Sequence, residues 1–177
     1  MNKNGNLHIV FDGHDGTGKS TLSQLTANYC GGIYVRPFGG QEGLNLIKAS
    51  EDKDYQRTIN IGYNAIDLID DQYCNSILVF DRHWMTVLSL VEPNYWSSWT
   101  IYPPTILCWT NIQSTKDRLR NRKEKQYSDA YHIEYLEIYK TIAATFGSFI
   151  LDTSNKTINE SFDIIKSWLH NNNVLQR

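Results

Sequence analysis

The sequence predicts an α/β domain: three layers, with a parallel sheet of about five strands between two layers of helices. Three observations predict it. Short apolar runs alternate with stretches of helical periodicity along the whole chain. Two of those runs, Ser76–Phe80 (SILVF) and Thr105–Thr110 (TILCWT), are continuously apolar, as strands buried on both faces are. The 177 residues, 41% hydrophobic and 20% charged, suffice for one domain, 1–177, with a sizeable core.

The elements follow in order. Leu7–Phe11 (LHIVF) is a strand stopped by Gly13, and Lys19–Tyr29 is a helix closed by Gly31 and Gly32. Ile33–Arg36 is a second strand, ended by Pro37, Gly39 and Gly40. Ile59, Tyr63, Ile66 and Ile69 fall at near-helical spacing, which predicts a helix over Tyr55–Asp71. The two apolar runs named above supply further strands. Leu136, Tyr139, Ala143 and Phe146 mark one face of a helix over Tyr131–Phe146, and Phe149–Leu151 is the fifth strand. Ile158, Phe162, Ile165 and Leu169 mark the last helix, which Thr157 and Glu160 open with a capping-box pattern.

Composition narrows the function. A net charge of −2 lacks the basic excess of a chain that coats nucleic acid or an anionic membrane, so neither partner is expected. No apolar run approaches the roughly 20 residues of a membrane span. Met1–Asn6 is polar and Leu7–Phe11 is too short for a targeting segment, so a cytoplasmic location is expected. Cys30, Cys74 and Cys108 form no CxxC and no metal spacing, and read as reduced thiols.

Ligands of such sheets bind at the carboxyl ends of the strands, and the polar motifs stand there. Gly13–Ser20 reads GHDGTGKS and fits G-x-x-x-x-G-K-S/T without mismatch. Glycines let successive N–H groups of Gly13, His14, Asp15, Gly16, Thr17 and Gly18 curl around phosphate oxygens, and the helix dipole behind them favours anions. Lys19 reaches the β- and γ-phosphates, Ser20 offers a hydroxyl to Mg²⁺, and Thr21 follows in the first turn. The expected cofactors are therefore ATP and Mg²⁺, on a phosphate-loop NTPase fold.

Ser76–Phe80 runs into Asp81, Arg82 and His83: an acid placed to support the metal and an arginine facing the phosphates. Lys116–Lys125 (KDRLRNRKEK) holds Arg118 and Arg122 on one helix face, with Arg120 beside them. This basic stretch is expected to be a short lid, about 114–130, that clamps the transferring phosphoryl group; a solvated helix face and a nucleic-acid patch are the alternatives. Arg36 and Phe38 close the second strand and suit a phosphate and a base.

These segments resemble the thymidylate kinase family. Phe11–Thr21, FDGHDGTGKST, is similar to that family's FEGxDGxGKST; Arg36–Glu42, RPFGGQE, to its REPGG; and Asp81-Arg82-His83 to its DRY/H, with Thr86 near the usual Ser. Arg118 and Arg122 match the R-x-x-x-R of its lid, and Leu151–Ser154 resembles its late strand end. The resemblance implies ATP-dependent phosphorylation of a deoxynucleoside monophosphate. It implies Lys19 and Ser20 on ATP and Mg²⁺, Asp15 on the sugar 3′-hydroxyl, and Arg36 and Arg82 on the acceptor phosphate. Asp81 would support the metal, Arg118, Arg120 and Arg122 would close over the phosphates, and Lys156 would lie near adenine.

Two features depart from the family. Its members usually carry a thymine-reading arginine in the helix before DRY/H. Here Arg57–Asp67 reads RTINIGYNAID, with Asn60 or Asn64 nearest the expected place, so a modified or different base stays open. Glu92–Tyr102 (EPNYWSSWTIY) is unusually aromatic and reads equally as a base-pocket wall or as packing under a loop. Glu134–Lys140 (EYLEIYK) also resembles the helix after the lid of deoxynucleoside kinases, which makes a deoxynucleoside acceptor the main alternative. A kinase acting on a base in DNA and a non-catalytic ATP-binding module are further ones. Family members often pair as dimers, which makes a homodimer through the Tyr55–Asp71 helix an expectation by analogy.

Overall fold

A computed structural model describes residues 4–122 and 127–176. In chain order it contains β1 (Leu7–Asp12), α1 (Lys19–Cys30), β2 (Ile33–Val35), α2 (Gln41–Glu51), α3 (Tyr55–Asp70), β3 (Ile77–Asp81), α4 (Trp84–Leu88), a 3₁₀ segment Pro93–Ser98, β4 (Thr105–Trp109), α5 (Ile112–Asn121), α6 (Asp129–Thr145), β5 (Phe149–Asp152) and α7 (Ile158–Asn171). The five strands pair in the order β2-β3-β1-β4-β5, all parallel, with Val10 opposite Phe80 and Asp12 opposite Leu107.

The continuous apolar strands are explained by what lies on each face. Val10, Leu78, Phe80 and Leu107 pack against α2, α3, α4 and α6 through Leu46, Ile59, Ile66, Trp84, Val87 and Ile142. Their neighbours Ile9, Phe11, Val79, Ile106 and Cys108 pack on the other face against Leu22 and Ala27 of α1 and Ile165 and Leu169 of α7. With both faces covered, alternation has no solvent side to show. Gly31 closes α1 at φ 63°, and the Thr157–Glu160 capping box opens α7, both as predicted.

Two α-helices were not predicted, and a third starts earlier than expected. The stripe of α2 buries only Leu46 and Ala49 and is interrupted by Gly43, so its periodicity is weak. The five residues of α4 are all buried, which leaves no amphipathic pattern. Helix α6 begins at Asp129 rather than Tyr131, because the Ser128 side chain accepts from the Tyr131 N–H and caps it. The predicted lid starts as α5, which Thr115 and Leu119 bury against the phosphate loop side of the sheet; Lys123, Glu124 and Lys125 lie outside the described residues.

The aromatic stretch Glu92–Tyr102 is packing under a loop. Trp99 is buried and stacks on Tyr63 of α3 at 4.0 Å and 6°. The Trp96 indole donates to the Leu88 carbonyl at 3.1 Å.

Candidate active site

The site lies past the carboxyl ends of β1, β3 and β4, where the phosphate loop leaves β1. Gly13, at φ 143°, passes so close to β4 that a Cβ would sit 2.3 Å from the Cys108 carbonyl oxygen. Gly16, at φ 79°, passes close to α5, where a Cβ would sit 3.0 Å from the Thr115 carbonyl oxygen. The Thr17 hydroxyl donates to the His14 carbonyl at 2.8 Å and closes the turn. Lys19 opens α1; its ammonium is buried over the loop, donating to the His14 carbonyl at 3.2 Å and lying 3.5 Å from an Asp15 carboxylate oxygen. Burial, reinforced by the nearby Arg82, lowers the Lys19 pKa to about 8 against the pull of Asp15. Ser20 is half-buried in the same first turn and Thr21 is exposed.

Arg82 follows β3 with a left-handed backbone, φ 77°, a conformation held by its N–H bond to the Phe11 carbonyl at 2.9 Å. That turn swings its guanidinium over the loop. It donates to Asp15 at 2.5 Å, to the Gly13 carbonyl and Thr86 at 3.4 Å each, and to the Tyr139 hydroxyl at 3.3 Å. Burial alone would raise the Asp15 carboxyl; Lys19 and Arg82 outweigh it and hold the group well below the usual carboxylate range. Asp81, one residue earlier, accepts from the Tyr34 hydroxyl at 2.8 Å on one oxygen. Its other oxygen is buried with no hydrogen-bond partner among the described residues.

Asp12 was missed in the sequence. It closes β1, is fully buried, and accepts from the Thr86 hydroxyl at 2.6 Å and the N–H groups of His83 and Met85 at 3.1 Å each. It thereby caps α4 from another strand, supplying the acceptor that the helix N-terminus needs. Burial raises its pKa to about 6. Its signal was available: like Asp81, it is an acid ending an apolar strand. Tyr139, read only as a helix-face residue, completes the network through Thr86 at 3.0 Å.

The phosphate loop is a wall between two cavities. One, of about 420 Å³, is lined by Gly16, Gly18, Thr21, Arg118, Arg122 and Lys156, with α7 behind. The other, of about 470 Å³, is lined by His14, Asp15, Phe38, Arg82 and Thr86, by Ser50 and Glu51 of α2, and by a row of tyrosines at 127, 131, 135 and 139.

The predicted residues divide accordingly. His14, Asp15, Phe38 and Arg82 meet at the second cavity; Gly16, Gly18, Thr21, Arg118, Arg122 and Lys156 meet at the first. Arg118 is engaged as a staple, donating to the Gly16 carbonyl at 3.1 Å and to the Thr153 hydroxyl and carbonyl at 2.9 and 2.7 Å. Arg120 was expected to close over the phosphates, but it is exposed, pairs with Asp117 at 3.4 Å, and lines neither cavity. Arg36 is likewise exposed at the end of β2 and lines neither. Asn60 and Asn64, expected near the base, lie on the exposed side of α3 away from both; α3 turns its buried face to the core, and α2 walls the cavity instead.

No family model matches the chain. Among curated proteins it is similar to a probable thymidylate kinase of Methanococcus aeolicus, 24% identical over 200 aligned positions that cover 96% of this chain and 100% of the relative. Among solved structures it is similar to thymidylate kinase from Candida albicans, with a TM-score of 0.70 and 12% identity over 96% of this chain and 93% of that one. The thymidylate kinase of Ehrlichia chaffeensis follows at 0.65 and 18%, over 94% and 99%. Deoxyadenosine kinase from M. mycoides with bound dATP aligns at 0.62 and 14%, over 93% and 100%. The fold is that of phosphate-loop kinases, and the resemblance to thymidylate kinases drawn from the motifs is upheld.

Proposed function

We propose that the chain transfers the γ-phosphoryl group of ATP to a deoxynucleoside monophosphate, dTMP or a related pyrimidine nucleotide, modified bases included. One observation carries the reading: a phosphate loop stands between two cavities, with Lys19 and Arg82 converging on its Asp15. Phosphoryl transfer asks little covalent chemistry of a protein; it needs the two oxygens brought into line and the charge between them neutralised.

In this reading the donor occupies the cavity beside Lys156 and Arg118, and the acceptor the cavity beside Phe38 and the tyrosines. Lys19 neutralises the donor phosphates. Arg82 exchanges its bond to Asp15 for the acceptor, and Asp15 is released to a sugar hydroxyl. Mg²⁺ fits the donor set: the Ser20 hydroxyl and the unpartnered oxygen of Asp81 would hold it, directly or through water, and it would offset phosphate charge. Among the described residues no cluster of His, Cys, Asp and Glu could hold a metal alone, as suits an ion that takes phosphate oxygens as ligands. The partners are small nucleotides; no helix among the described residues is long and apolar enough to cross a membrane.

A deoxynucleoside acceptor is the second reading, and one observation favours it. The charged residues lining the acceptor cavity are Asp15, Glu51 and Arg82, and Arg82 is already paired. Among the described residues a phosphate dianion would find one cation there unless Arg36 turned inward, whereas a neutral nucleoside would need none. An ADP-release assay decides between them, run over deoxynucleoside monophosphates, 5-modified pyrimidine nucleotides and free deoxynucleosides, with Lys19→Ala as control. Turnover on monophosphates supports the first reading, turnover on nucleosides alone the second, and turnover on nothing overturns both.

A further inference from the structure

Position 14 serves phosphate through its backbone, and its side chain is not needed for that. The imidazole of His14 turns away from the loop and is buried. Its Nε2 lies 2.8 Å from Nδ1 of His132, 118 residues further along the chain. The ring also stacks on Tyr135, with centroids 5.7 Å apart at 15°, and meets Tyr131 edge-on at 5.7 Å. The bond requires one ring to donate and the other to accept, so the two rings are never both charged. Burial agrees, lowering His14 to about 4.

The other end of the bond is the first two turns of α6. Between residues 129 and 135 His132 is the one buried side chain; Tyr131 and Tyr135 are half-buried and the rest exposed. His132 Nε2 has no hydrogen-bond partner among the described residues, so the bond to His14 is the ring's anchor. Besides the Ser128 cap, this segment is tied among the described residues by the ion pair of Asp129 with Lys116 at 2.7 Å, whose carboxylate is exposed, and such pairs hold little. Yet Tyr131 and Tyr135 form a wall of the acceptor-side cavity.

We infer that His14 and His132 form a latch that holds the tyrosine wall of α6 against the phosphate loop, making both of them positioning residues for the acceptor. The latch itself stands on geometry; its effect on turnover rests on the kinase reading. The phosphate loop thus has two functions on its two sides, cradling the donor with its amides and anchoring the acceptor wall with one side chain.

Two readouts on the full chain test it. In His132→Ala, amide exchange over residues 129–135 is expected to rise about tenfold, the scale of one buried hydrogen bond, with the rest of α6 unchanged. In the same variant the acceptor KM is expected to rise roughly tenfold while the ATP KM stays within about twofold. His132→Asn, which puts an amide near the place of Nδ1, is expected to recover most of both. The double variant His14→Ala/His132→Ala should lose less than the sum of the two single variants. Unchanged exchange over 129–135, equal rises in both KM values, or additive losses would overturn the latch. If wild-type protein phosphorylates no acceptor, the kinase reading falls while the exchange experiment still decides the latch.

Discussion

Arg82 donates to Asp15 at 2.5 Å although the two are 67 residues apart, and this contact ties the strand-end arginine to the phosphate loop. In the proposed reading it places a cation over the acceptor side of the loop while leaving the donor side to Lys19. Arg82→Ala is therefore expected to raise the acceptor KM by roughly 10²-fold, the scale of one charge-assisted contact, and to change ATP affinity little. Equal losses on the two substrates would contradict that division.

Lys19 couples function to a cost in stability. Its ammonium is buried and its pKa falls from 10.5 to about 8, so the folded state disfavours the charge. A group whose folded pKa is depressed in this way makes stability rise with pH between about 8 and 10.5. Lys19→Met is expected to lose turnover by about 10³-fold or more. The same variant should unfold no sooner than wild type at pH 7, and later by on the order of 1–3 kcal/mol if the whole desolvation cost is relieved. Paired turnover and thermal-melt measurements check both halves; a variant that is inactive and unfolded would refute the argument.

Asp12 should matter for structure, because it is buried and accepts three hydrogen bonds. Removing its carboxylate leaves the Thr86 hydroxyl and the His83 and Met85 N–H groups without their acceptor in a buried place. Asp12→Ala is expected to cost about 2–4 kcal/mol, several unsatisfied donors being involved. Chemical denaturation measures it. A loss below about 1 kcal/mol would mean that water replaces the carboxylate freely.

Acid stability follows from opposed shifts. His14 has a folded pKa of about 4 against an ordinary 6.5, so the unfolded chain binds the extra proton between those values and stability rises with pH there. Burial lowers His8 and His83 as well, with the same sign. Asp12, raised from 3.8 to about 6, acts the other way and makes stability fall as pH rises through that window. The His14 and Asp12 contributions are each on the order of 3 kcal/mol and nearly cancel, which leaves His8 and His83 to set the slope. Wild-type protein is expected to gain stability from pH 4 to 6.5, and Asp12→Asn to gain it more steeply. Melting curves across that range check the sign; a flatter curve in Asp12→Asn would reverse the assignment.

The sequence by itself determined the parts whose chemistry is local. The phosphate loop is a run of neighbours whose glycines and lysine act through adjacent backbone, so GHDGTGKS could be recognised without knowing what surrounds it. Strands β1, β3 and β4 were legible because burial on both faces writes itself into four or five consecutive residues, and the α7 cap because Thr157 and Glu160 are three residues apart.

The tertiary structure decided everything that depends on which elements meet. Asn60 and Asn64 sit at plausible positions along α3, but the helix presents its other face inward and weakly patterned α2 walls the cavity. Arg120 shares a basic run with Arg118, yet two residues along the helix separate a solvent ion pair from a staple on Thr153 and Gly16. Asp12 caps a helix that begins 72 residues later, and His14 finds its partner on α6. The physical reason is common to all of these: parallel strands require long crossovers, so side chains that share a site are far apart in sequence. No spacing rule reaches across such a distance; only the packing of both helical layers on one twisted sheet brings them together.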